Sequence, residues 1–217
     1  MPTHLPGFFT LLLLFFASLC GCVNLGEGTQ ETTRFYRLES SSPQSEAARE
    51  ESRSDAPLGH LALQIGPVVI PGYLERSQIV TKGGPNEFRL AEFERWAEPL
   101  DENIEWVLAE DLKDLLQTDR IGFFPWKRPG QPDLQVIVEV LRFDGTLGEE
   151  VLLNARWSIV DVDSKEELVL QEARFRENPE GPDYPELVAA MSRSLAELSG
   201  DIAQALETLR KRPAKID

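Results

Sequence analysis

The sequence has only two cysteines, Cys20 and Cys22, and both follow directly on its N-terminal apolar stretch. A structural disulfide framework needs thiols spread along the chain, so the fold must rest on a packed core. Histidine is equally scarce, with His4 and His60 alone. Imidazole- or thiolate-bound zinc needs several such ligands and is excluded. Ser–His catalysis would have to use His60, which lies at a loop-to-strand junction and reads more readily as a solvated residue. Glycine-rich phosphate loops are missing too. Gly83-Gly84 lacks the spacing that cradles phosphates and reads as a hairpin turn. No cofactor is expected. Positive charge is in deficit, giving a net charge of −15. Such a chain repels nucleic acid and anionic head groups, so neither is an expected partner through charge.

Long apolar runs are also few. The one candidate, Phe8-Phe9-Thr10-Leu11-Leu12-Leu13-Leu14-Phe15-Phe16-Ala17-Ser18-Leu19, is too short for the ~20 residues of a spanning helix. It fits the roughly 7–15 residues of a signal-peptide core. It ends in Leu19-Cys20-Gly21-Cys22, which resembles the lipobox of bacterial lipoproteins. The reading is a signal peptide over 1–21 and an acyl-bearing (palmitate-type) Cys22, an ordinary cleaved signal or an uncleaved anchor being the plainer alternatives. With Cys20 removed and Cys22 acylated, the mature chain has no free thiol. Two or more acyl chains anchor a protein stably where one does not.

What remains suits one domain. Hydrophobic residues make up 41% of the chain, enough for a core that buries roughly 70% of the unfolded surface. Residues 22–33 are polar and read as a tether, 34–210 as the domain and 211–217 as a tail. The stretch 39–59 has no periodicity and reads as a flexible loop.

Short strands are expected at 35–38, 60–70, 77–82 and 87–93. Residues 101–117 read as a helix, with Ile104, Val107, Leu108, Leu112, Leu115 and Leu116 on one face. Three longer strands are expected at 133–143, 149–162 and 166–176, joined by turns at Asp144-Gly145 and Asp163-Ser164-Lys165. In the middle one, Val151, Leu153, Ala155, Trp157 and Ile159 share a face. A last helix opens at Asp183 with Glu186 three residues on, a capping pair. Its stripe runs Leu187, Met191, Leu195, Leu198, Ile202, Leu206, Leu209. The expected fold is α+β: a mixed, largely antiparallel sheet with two amphipathic helices packed on one face.

Carboxylates are abundant, but adjacent Glu149 and Glu150 would point to opposite faces of a strand, unlike a glycosidase pair. The chain reads as no enzyme. Two patches break the acidic background. One holds Arg89, Arg95 and Trp96, the other Phe123-Phe124-Pro125-Trp126-Lys127-Arg128-Pro129. Aromatics and arginines in loops are typical interface residues. Trp96 and Phe123 read more readily as core, whereas Trp126 is expected at the surface. Trp126, Lys127, Arg128, Arg89 and Arg95 are the candidate contacts for a partner or lipid.

Several segments resemble one family in order. They are Phe35-Tyr36-Arg37-Leu38, the run from Leu63 to Arg76 with its Gly66-Pro67 and Pro71-Gly72-Tyr73-Leu74-Glu75-Arg76, then Ala91 to Leu100 with its Arg95-Trp96-Ala97-Glu98-Pro99-Leu100, Arg142-Phe143-Asp144-Gly145 and Leu187-Val188-Ala189-Ala190. The chain is similar to the ABC-type transport auxiliary lipoproteins, the paraquat-inducible lipoprotein C-like family. That resemblance implies a non-catalytic lipoprotein beside a transporter with a permease, an ATPase and a mammalian-cell-entry-domain protein. It implies lipid or hydrophobic cargo and a homo-oligomeric docking ring. Val23 and Asn24 stand where an inner-membrane retention signal carries Asp, which favours the periplasmic face of a Gram-negative outer membrane. A competing reading is a lipoprotein that itself binds a small hydrophobic ligand, which would require a cavity of about 300 Å³ or more between sheet and helices.

Overall fold

The computed structural model describes residues 32–40 and 61–211. The expected signal peptide, Cys22, residues 22–31 of the tether, 41–59 of the loop, His60 and residues 212–217 lie outside the described residues. In chain order the elements are β1 (Arg34–Tyr36), β2 (Leu63–Val69), β3 (Gln78–Gly84), β4 (Glu87–Trp96), α1 (Leu100–Leu116), β5 (Ile121–Phe123), β6 (Leu134–Gly145), β7 (Val151–Asp161), β8 (Glu167–Glu177) and α2 (Tyr184–Lys211). No described helix is long and apolar enough to cross a membrane.

All eight strands join one sheet, ordered β1-β4-β3-β6-β2-β5, and β7 and β8 branch from β6. β6 makes the branch possible. One of its edges pairs with β7 from Leu134↔Asp161 to Gly145↔Val151. The other is shared by β2, up to Val69↔Glu139, and by β3 at Thr81↔Gly145. β3–β4, β6–β7 and β7–β8 are antiparallel, while β1–β4, β2–β5, β2–β6 and β3–β6 are parallel. The sheet is therefore mixed, and the expectation of a largely antiparallel one is corrected. Hairpin turns announce antiparallel neighbours in a sequence, but parallel neighbours are joined through distant crossovers that carry no local signal.

The alternation expected in β7 is realised: Val151, Leu153, Ala155, Trp157 and Ile159 are all buried, and Arg156 is exposed. On α1, Ile104, Val107, Leu108, Leu112 and Leu116 are buried, but Leu115 is 49% exposed. Each residue steps about 100° round the helix, and in its last turn that step carries Leu115 off the buried face that Leu112 and Leu116 occupy. α2 begins as its sequence predicts, with the Glu186 N–H donating to Asp183 Oδ1 at 3.1 Å. Its stripe from Leu187 to Leu206 is buried in the same cluster as the inward residues of β6 and β7. α1 contacts α2, β2 and β5, and α2 contacts β7 and β8.

The N-terminal segment is built into this body. β1 pairs in parallel with β4, Tyr36↔Trp96. Beyond it the buried Asn103 side chain brackets Leu38, accepting its N–H at 2.6 Å and donating to its carbonyl at 3.2 Å. Ser40 and Ser199 hydroxyls both donate to the buried carboxylate of Asp111 on α1, at 2.5 and 2.9 Å. The Glu39 N–H donates to Ser192 Oγ on α2 at 3.2 Å, so the stretch contacts both helices and satisfies polar groups that burial would otherwise strand.

Candidate functional site

The chain leaving β2 turns sharply at Pro71, whose carbonyl accepts the Leu74 N–H at 2.8 Å. This turn sends Leu74 into the core, 3% exposed, and leaves Glu75 and Arg76 outside. Ser77 then accepts the Trp96 N–H through its carbonyl at 2.7 Å, which joins the turn to the end of β4. Pro99 opens α1 and its carbonyl accepts the Asn103 N–H at 3.0 Å. No side chain caps that helix. The two segments enclose a cleft of about 480 Å³, floored by Ile70, Leu74, Trp96, Pro99 and Leu100, with Glu75, Arg76, Glu98 and Asp101 around its mouth. That volume lies in the range of small-ligand pockets.

Tyr73 fixes the turn from the other side. Its hydroxyl donates to Asp144 Oδ2 at 2.8 Å and accepts the Phe143 N–H at 3.2 Å. Its ring stacks on Phe88, centroids 4.6 Å apart. Asp144 is buried and holds the Arg142 guanidinium through bonds of 2.7–3.1 Å. Burial pushes the Tyr73 hydroxyl pKa well above the ordinary tyrosine value; the Asp144 charge adds to this, and the Phe143 N–H and Arg142 oppose it. Arg142 is raised in turn, chiefly by its bond to Asp144.

The residues singled out from sequence fall on two surfaces. Arg89 is exposed on β4, 3.6 Å from Glu87. Arg95 is half-buried, its Nη1 donates to Ser77 Oγ at 3.5 Å, and its buried Nε has no partner among the described residues. Lys127 and Arg128 are exposed after β5, and Arg128 Nη1 donates to the Asp119 carbonyl at 3.1 Å. β3, β6 and β2 stand between β4 and β5 in the sheet, so the structure does not bring the two groups together.

Trp126 and Phe123 exchange their expected places. Trp126 is half-buried with its indole lying on Gly122, where an added Cβ would meet the ring at 2.6 Å, and its Nε1 has no partner among the described residues. Phe123 and Phe124 are 43% and 49% exposed. The glycine at 122 leaves room on β5 for the Trp126 ring. Trp96 is in the core as expected, yet its ring also walls the cleft. The cleft has no local signature in the sequence. Its walls are the two resembling motifs Pro71–Arg76 and Arg95–Leu100, which were separately visible but not visibly adjacent.

The ligand-carrier reading places a cavity between sheet and helices. The recess found there, between β8 and α2, is smaller at about 280 Å³ and lined by Val169, Gln171, Asp201, Gln204 and Thr208 among others. The larger cleft lies at the start of α1, and no α2 residue lines it.

Fold and cleft define a class: a small α+β domain with a branched mixed sheet and an apolar recess on its surface. Residues 36–203 match the family described as the ABC-type transport auxiliary lipoprotein component, and the chain belongs to that family. A crystal structure of a protein from Xanthomonas campestris is similar in fold, with a TM-score of 0.66 at 13% identity, covering 82% of this chain and 98% of that one. A second, uncharacterised protein gives a TM-score of 0.63 at 20% identity over 81% of this chain and 99% of its own. No curated protein matches the chain. Membership implies association with a transport system and a membrane-anchored place in the envelope.

Proposed function

We propose that the chain is a non-enzymatic outer-membrane lipoprotein subunit of a mammalian-cell-entry-type ABC transport system that moves lipids or other hydrophobic molecules. The family match over residues 36–203 carries this reading. Cys22 bears the acyl chains, the tether spans at most about 36–40 Å, and the domain docks the transporter's mammalian-cell-entry-domain protein as one copy of a homo-oligomer. Trp126, Lys127 and Arg128 on one surface, and Arg89 and Arg95 on the other, are the proposed contacts.

The alternative is a lipoprotein that itself carries a small hydrophobic ligand; the cleft at Leu74 and Trp96 has the volume for one but lies at the start of α1, not between sheet and helices. A crosslinking pull-down from native envelopes, wild type against Cys22→Ala, separates the two. Recovery of a mammalian-cell-entry protein, weakened in Cys22→Ala, supports the docking subunit. Recovery of lipid with no transporter component supports the carrier.

A further inference from the structure

The cleft between Pro71–Ser77 and Trp96–Asp101 belongs to none of the contacts proposed above. We infer that it is a docking site for a partner peptide that presents an apolar side chain next to a lysine or arginine. This rests on the reading of the chain as a docking subunit.

Its floor is apolar and its volume, about 480 Å³, leaves room for an anchoring aromatic or aliphatic side chain and a neighbour. Its mouth is acidic. Glu75, Glu98 and Asp101 face a single cation, Arg76, and none of these four is in an ion pair within the described residues. The α1 dipole offers only about half a positive charge at Pro99, which three whole carboxylates outweigh. A lipid phosphate or fatty-acid carboxylate would therefore meet like charge at the entrance, while a lysine or arginine meets opposite charge. At the start of α1 no side chain among the described residues caps the backbone N–H groups, and a peptide carbonyl can accept from them. A peptide offers apolar anchor, cation and carbonyl together.

The test uses the full chain and two labelled peptides that share a Leu-Trp-Leu centre, one flanked by lysines and the other by glutamates, read by fluorescence anisotropy. Any cationic peptide is drawn to a chain of net charge −15, so the site is defined by variants. Ser77→Trp fills the cleft from an exposed position, and Glu98→Gln with Asp101→Asn neutralises its mouth. Thr208→Trp and Asp201→Asn, at the recess beside α2, are the controls. The lysine peptide is expected to bind, with roughly tenfold weaker affinity in either cleft variant and no change in the controls. The glutamate peptide is expected to be at least about tenfold weaker. Equal affinity for both peptides, undiminished binding in Ser77→Trp, no peptide binding, or displacement of the peptide by phosphatidylglycerol vesicles would overturn the inference. If the transporter protein is still recovered from envelopes while the cleft binds no peptide, this inference alone fails. Peptide binding without transporter recovery would count against the proposed function alone.

Discussion

Tyr73 and Asp144 are joined by a 2.8 Å hydrogen bond that ties the turn after β2 to the end of β6. The two residues belong to separate sequence motifs, and the bond holds one wall of the cleft against the sheet. Asp144 would otherwise have Arg142 alone, whose side chain is 34% exposed.

Replacing Tyr73 with Phe keeps the ring on Phe88 and removes the hydroxyl alone. Asp144 loses a donor and the Phe143 N–H loses its acceptor. The expected loss is about 1–3 kcal/mol in urea unfolding, the range for stranding buried polar groups. A loss well below 0.5 kcal/mol would show that water replaces the hydroxyl.

The same residue gives a pH dependence whose sign is fixed. The Tyr73 hydroxyl titrates above its unfolded value of about 10, so above pH 10 the folded chain keeps a proton that the unfolded chain releases. Its contribution is whole below pH 10 and declines as pH rises beyond. Tyr36 and Tyr184 are raised as well, each mainly by burial, so the wild-type curve alone does not isolate Tyr73. The stability gap between wild type and Tyr73→Phe is expected to narrow above pH 10. A constant gap between pH 8 and 11 would contradict the assignment.

Gly66 is poorly placed to accept a side chain. Its φ is +95°, and a Cβ there would lie 1.8 Å from Glu105 Oε1. Gly66→Ala is expected to cost about 2–4 kcal/mol from the backbone and the clash together. Adding Glu105→Ala removes the clash and leaves the φ penalty. The double variant should therefore lose about 1 kcal/mol or more less than the sum of the singles, whereas strict additivity would show that the glutamate simply swings away.

Legibility in the sequence followed the range of the interaction. α2 was readable to its first turn because Asp183, Glu186 and the leucine stripe are local signals. β6, β7 and β8 were readable because alternation and turn residues sit beside one another. β5 was hidden: its three residues are too short for periodicity and acquire order only by parallel pairing with β2. The same limit hid the cleft. Trp96 and Leu74 each look like core residues, and only the bond from Trp96 to Ser77 makes them opposite walls of one recess. Gly122 was equally silent, because a glycine says nothing about which ring will rest on it.

The branching of the sheet at β6 has a consequence for copies of this chain held close together. A simple sheet stops at two strands, whereas among the described residues this one stops at three: β1, β5 and β8. Each open edge is a template on which another molecule could continue the ladder, the first step toward aggregation. Here β1 and β5 are three residues long, too short to hold an added strand. The long edge, β8, carries Glu167, Glu172, Arg174, Arg176 and Glu177, charges that any flat apolar strand laid against it would have to desolvate. Crowded together, such molecules are kept from growing into fibres by the way each arm of the sheet ends.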